Sequence, residues 1–291
     1  MGINMRSQTF WAIVLIIVGV LLLVGDLSLL IAVLLIAFGV GMIVVRPSIE
    51  EAHFSEPVGE TRAASVAINL SVGEAQIAAR PDSDHLIDAD LVYLGSVHFA
   101  VSGEDKKHIT LRQSSTPMDW LNNLFGWIGV NRQLRWAINL HPDVPTALQL
   151  QGGIGRATVD LSGLQLTDLS LQGGVGEMRI TLPAPDERYQ ARIKGGVGEI
   201  AVRIADDADL DLNISSGVGE ITVDLPTEAA VQIKARAGLG KINVPRRLGR
   251  VEGQGDMPFG GSGVWQTTDY EDADRRITID AEGGIGQLNF R

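Results

Sequence analysis

The chain contains no cysteine. That excludes a disulfide framework, a thiolate metal site and a cysteine nucleophile. Positive charge is also scarce: 24 Lys and Arg stand against 35 Asp and Glu, for a formal net charge of -11. Arg6, Arg46, Asp26 and Glu50 cancel one another, so the acidic excess lies in residues 51–291. A nucleic-acid partner needs a basic face, which this composition does not supply. The same excess works against the acidic part lying flat on anionic lipid. The histidines, His53, His85, His98, His108 and His141, show no HxxxH or HxH spacing, and no nucleophile elbow or pair of catalytic carboxylates stands out. No catalytic, cofactor-binding or metal residue is assigned on this basis, and the chain is expected to be non-enzymatic.

One long hydrophobic run is present. Residues 10–45 are nearly all apolar, broken at Gly25-Asp26 into Phe10–Val24 and Leu27–Val45. As helices these would be roughly 22 and 28 Å long, against a bilayer core of about 30 Å. A single continuous helix would hold Asp26 near the membrane centre, at a cost of about 2.5–3.5 kcal/mol. The run therefore predicts a transmembrane helical hairpin over residues 1–46, with helices at about 9–24 and 27–45, inserted in lipid through residues 10–45. Arg6 and Arg46 flank it, and the turn carries only Asp26. The positive-inside tendency then places everything after the hairpin in the cytoplasm, at a cell membrane crossed twice.

Residues 47–62, with Pro47, Pro57 and Gly59 among charges, read as a linker. From residue 63 the apolar period becomes two: Val66, Ile68, Leu70 and Val72 alternate with Ala67, Asn69 and Ser71. Further alternating stretches at Leu86–Tyr93, Val97–Val101 and His108–Arg112 predict strands, the last two joined by a turn at Ser102-Gly103-Glu104-Asp105. Thr116–Asn131 interrupts this with an aromatic insertion containing Trp120, Leu124, Phe125 and Trp127. Two readings stand for it. One is a short helix or loop covering the end of the β core; the other is an interfacial segment that touches the membrane or a partner.

From residue 146 to 291 one motif returns. It reads Gly173-Gly174-Val175-Gly176-Glu177, then Gly195-Gly196-Val197-Gly198-Glu199, then Ser216-Gly217-Val218-Gly219-Glu220. Variants contain Gly153 and Gly155, Gly238 and Gly240, and Gly284 and Gly286. Taken from Gly155 to Gly240, the steps are 21, 22, 21 and 21, with a last step of 46, close to two periods. A fixed period in this range signals a repeat architecture. Alternating apolar residues flank each copy, so each unit reads as strand, glycine corner, strand. One unit cannot bury its apolar face, but stacked units can, with strands about 4.8 Å apart. The expectation is a β-solenoid or rack, with the residue between the glycines (Ile154, Val175, Val197, Val218, Leu239, Ile285) filling a core column. The glycine run is not a nucleotide loop: no third glycine falls at the required spacing, no Gly-Lys-Ser/Thr follows, and strands come next instead of a helix. Glu177, Glu199 and Glu220 should stack in a column flanked by Arg156 and Lys241, a low-ranking candidate for binding a cation such as calcium. Asp207, Asp209 and Asp211 read as a solvated strand start.

WAINLHPDVP and GGIGRATVDLSGLQLTDLSLQGGVGEMRITLP, within residues 136–183, resemble the toast-rack domain of LiaF-like proteins, described as cell-wall-active antibiotic response proteins. Trp265 through Tyr270 and the closing GGIGQLNF resemble that family's last unit, and the apolar block resembles its membrane region. The resemblance implies a non-enzymatic bacterial membrane protein that modulates an envelope-stress sensor kinase through protein contacts. Its membrane region is half that of the better-known members. The alternatives are an envelope-facing structural or adhesive module, and a metal-binding or hydrolytic β-helix built on the acidic column.

Overall fold

The computed structural model describes residues 49–81, 83–114, 134–252 and 260–291. The expected membrane hairpin and the aromatic insertion with Trp120, Leu124, Phe125 and Trp127 lie outside the described residues. The described residues form strands only, seventeen in number. Residues 47–62, read above as a linker, contain the first, β1 (Ile49–Pro57). β2 (Ala63–Asn69), β3 (Val72–Ala79), β4 (His85–Leu94), β5 (Ser96–Ser102), β6 (Lys106–Ser114) and β7 (Arg135–Leu140) follow. Next come β8 (Thr146–Gln151), β9 (Ile154–Asp160), β10 (Leu166–Gln172) and β11 (Val175–Leu182). β12 (Tyr189–Ile204), β13 (Leu210–Asp224) and β14 (Ala230–Asn243) each run straight through a corner. A hairpin, β15 (Gly249–Glu252) and β16 (Gly261–Gln266), precedes the last through-strand, β17 (Arg276–Phe290).

Each unit is thus a bent strand with a leg before and a leg after its corner. First legs pair with first legs in the order β5-β6-β2-β8-β10-β12-β13-β17-β14-β16-β15. Second legs run β1-β4-β7-β3-β9-β11-β12-β13-β17-β14. The repeats pair in parallel and in register, glycine on glycine, as Gly155↔Gly176↔Gly198↔Gly219.

The buried positions change parity at the corner. In β12 Tyr189, Ala191 and Ile193 are buried before it, and Ile200, Val202 and Ile204 after it. In an unbent strand these two sets would face opposite sides. Gly198, at φ 136°, resets the alternation so that both legs line one core. An L side chain there would be strained, and its Cβ would lie far inside 3.0 Å of the Gly176 carbonyl oxygen. The same holds down the column, each glycine's carbonyl occupying the space of the next one's absent Cβ.

Among the glycine-cornered repeats from β9 onward, the stacking order departs from the sequence order in one place. The period suggests that the last unit follows β14 at two steps, yet β17 lies between β13 and β14. The extra length is taken by the β15–β16 hairpin, which covers the first leg of β14. Polar contacts hold β17 in its slot. Arg188 Nη1 donates to the Arg276 carbonyl and Nη2 to Thr278 Oγ1, both at 3.1 Å. The same guanidinium pairs with Asp211 and with Asp209, so these aspartates are not merely a solvated strand start. Hydrogen bonding to Asp211 raises the Arg188 pKa against the opposing effect of its own desolvation. At the other end of β17, Asn289 Nδ2 donates to Glu220 Oε1 at 2.6 Å.

β1 forms a strand because it closes one end of the rack. Phe54 stacks on Phe99 with ring centroids 5.2 Å apart, and Lys107 pairs with Glu56 at 2.7 Å. Composition alone reads this charged stretch as a linker, whereas pairing with β4 and these contacts make it an edge strand. Its charges suit an edge, since they discourage further strand addition.

Gly198→Ala should lower unfolding free energy by at least about 3 kcal/mol in urea denaturation. Gly261→Ala, where an added Cβ meets nothing within 4 Å, should change it by no more than about 0.5 kcal/mol.

Candidate functional site at the glycine corner

The corner brings three features together: an exposed aliphatic stripe, a column of charge beside it and a small cavity beneath it. The stripe overturns the expected core column. Val175, Val197, Val218, Ile285 and Leu239 are 44–53% exposed. They stand in register across β11, β12, β13, β17 and β14. The reversed parity is the cause, because it turns the residue between the glycines outward. The inner side of the corner is already filled: a Cβ on Gly173 would lie 2.6 Å from Met178 Cε, and one on Gly195 would lie 2.6 Å from Ile200 Cδ1. Four rung spacings make the stripe about 19 Å long. Aliphatic side chains held in a contiguous exposed row mark a contact surface more often than scattered ones do.

The acidic column forms as the register expects, with Glu177↔Glu199↔Glu220. Arg156 flanks it directly at Glu177, 3.0 Å from Nε to Oε2. Lys241 does not flank Glu220, because β17 places Gln287 between them. Protein groups answer most of the charge. Arg179 joins Arg156 on Glu177, while Glu220 accepts from Asn289 and from Thr222 Oγ1 at 3.2 Å. Glu199 is exposed and makes no hydrogen bond or ion pair among the described residues. The three carboxylates do not converge closely enough to share an ion.

Below the corner lies a cavity of about 70 Å³, with a largely apolar wall that includes Leu70, Trp136, Leu150, Met178, Ile200 and Ser216. Ser216 stands where Gly173, Gly195 and Gly283 stand in other rungs. It is 9% exposed, and its Oγ has no hydrogen-bond partner. Room for water exists there, but an apolar wall holds water poorly.

Among the described residues, the side chains that converge enough to hold an ion are His53, Asp88 and Asp90, on β1 and β4. The spacing of the histidines gives no hint of them. The signal in the sequence is the pair Asp88-Ala89-Asp90, which puts two carboxylates on one face of a strand. The imidazole, 37 residues away from Asp90, arrives only through strand pairing.

Ser216→Ala should leave unfolding free energy unchanged or raise it by up to about 1 kcal/mol, because it removes an unpaired buried hydroxyl. Ala237 already occupies the matching position in β14, so the methyl fits the corner. Thermal denaturation of the two proteins measures it.

Comparison with known proteins agrees with this architecture. A domain family described as the N-terminal domain of toast_rack, DUF2154, matches residues 46–203. A crystal structure of a candidate cell adhesion protein from Clostridium sporogenes ATCC 15579 is similar at 22% identity and a TM-score of 0.54, covering 84% of this chain and 99% of that one. A candidate adhesin from Bacteroides fragilis NCTC 9343 aligns at 12% identity and a TM-score of 0.36, over 85% of this chain and 100% of that one. No curated protein matches the chain. With its glycine-cornered rungs in parallel register and the family match over more than half its length, the chain belongs to the toast-rack family.

Proposed function

We propose that this chain is a membrane-anchored toast-rack that works in the cell envelope by holding other proteins, without chemistry of its own. The aliphatic stripe carries the reading. It is an exposed aliphatic row at the closely packed glycine corner, on a domain too acidic to bind nucleic acid. Residues 10–45 supply the anchor, with lipid as the first partner. The chain enters the rack at the corner end, since Ile49 is opposite Leu94, Val92 opposite Arg135, and Arg135 opposite Glu74, one residue past Gly73. In the cytoplasmic topology given by Arg6 and Arg46, the partner class is a membrane-embedded sensor kinase of envelope stress, the role that the LiaF-like resemblance implies.

A second reading is an envelope-facing structural or adhesive module. It requires the opposite topology and is favoured by the likeness to the clostridial candidate adhesion protein. The chain has no native cysteine, so Asp26→Cys and Ser162→Cys report topology cleanly. In intact cells a membrane-impermeant maleimide should label Cys at 26 and leave Cys at 162 untouched. Labelling at 162 instead sinks the cytoplasmic regulator and supports the adhesive module.

The stripe has its own test. A photo-crosslinker at Val197 should capture a membrane protein partner, and one at the exposed Arg203 should not. Val175→Thr with Val218→Thr should abolish that capture while costing less than about 1 kcal/mol of stability per site. Equal capture from both positions refutes the stripe as the contact surface.

A further inference from the structure

The outer face of the β1–β4 pair holds a group of side chains that the corner does not use. His53 is opposite Asp90 in the antiparallel register, and Asp88 is opposite Ser55, two residues along the same face. His53 Nδ1 is 2.9 Å from Asp90 Oδ1 and 3.5 Å from Asp88 Oδ1. The Asp88 side chain is 14% exposed. Its Oδ1 is closed to solvent and accepts no hydrogen bond. Its other oxygen, Oδ2, is held by Arg80 Nη1 at 2.9 Å. His53 Nδ1 faces Asp88 Oδ1 at ion-pair distance without hydrogen-bonding to it, so this buried carboxylate oxygen has no donor, which is costly.

We propose that His53 Nδ1, Asp88 Oδ1 and Asp90 Oδ1 form a binding site for a divalent transition-metal ion of the zinc class. Zinc bonds to imidazole nitrogen and carboxylate oxygen at about 2.0–2.2 Å, which puts the ligands of a tetrahedral ion about 3.3–3.6 Å apart. The observed separations of 2.9 and 3.5 Å bracket most of that range, so small side-chain adjustments admit the ion. The donor set selects the metal class. One imidazole and two carboxylates suit zinc and its neighbours, whereas calcium takes six to eight oxygens and magnesium keeps most of its water. Arg80 fixes the Asp88 carboxylate so that Oδ1 points at the imidazole, the orienting role that such partners have around metal ligands. His53 and Asp90 are 56% and 67% exposed, so the fourth position faces solvent and is open to water or to a ligand from outside. The ion would join β1, the edge strand that follows the apolar block, to β4 through one ligand on the first strand and two on the second. This inference stands apart from the membrane and partner readings.

The full chain, purified in detergent without a polyhistidine tag and stripped with a chelator, should bind one equivalent of zinc in isothermal titration. Cobalt should give the visible absorption of a tetrahedral site, and zinc should raise the unfolding temperature. His53→Ala and Asp90→Asn alter exposed side chains and leave the core alone. Each should weaken binding by at least about 100-fold, beyond the effect of losing an orienting partner, and remove the thermal shift. No saturable zinc binding overturns the proposal. So does binding that survives in either variant, because the three-ligand assignment needs both residues.

Discussion

At the corner of every repeat, the carbonyl oxygen of one glycine occupies the space that the next rung's Cβ would fill. Gly155, Gly176, Gly198, Gly219, Gly286 and Gly240 repeat this contact from rung to rung. Backbone therefore packs on backbone through the sharpest part of the fold, and nothing bulkier than hydrogen is tolerated there. The contact also locks register. A slip of one residue would bring a side chain against a carbonyl and turn each alternating leg inside out. Once the register is set, equivalent residues stack upon equivalent residues, and the core columns, the aliphatic stripe and the acidic column all follow.

The same lock explains what the corner displays. A glycine at positive φ reverses the alternation, so two apolar legs can share one core while the residue between the glycines turns outward. Beside the sharp angle lie a small, largely apolar recess of about 70 Å³ and the unpaired Ser216 hydroxyl. Register and exposure thus come from one cause. A row of aliphatic side chains held at fixed spacing on stacked backbone loses little conformational freedom when a partner covers it, which favours tight contact.

Much of this architecture is legible in the residues themselves. The glycine spacing announces a rack, the alternation on either side identifies the legs, and Ser102-Gly103-Glu104-Asp105 announces the β5–β6 hairpin, where Gly103 has a φ of 88°. The acidic column is legible too, because in-register stacking needs only the repeat. The stripe is not. The apolar positions change parity across each corner, from Leu169 and Leu171 to Met178 and Ile180, but they do not show which residue resets the alternation, so Val175 and its equivalents read as an inner column. Nor is β1 legible, because Glu50, Glu51 and Glu56 look like linker until Phe54 meets Phe99 and the backbone meets β4.

The sequence by itself determined the repeat, its period, the glycine positions and the apolar faces, because each is a local property written again in every copy. Tertiary structure decided what depends on distant segments meeting. It placed β17 between β13 and β14, where Arg188 and Glu220 can reach it, and so put Gln287 between Glu220 and Lys241. It brought His53 to Asp88 and Asp90 across two strands that lie more than thirty residues apart. It turned the corner valines outward, because only the bent chain, with its carbonyls stacked on glycine, leaves them no room inside.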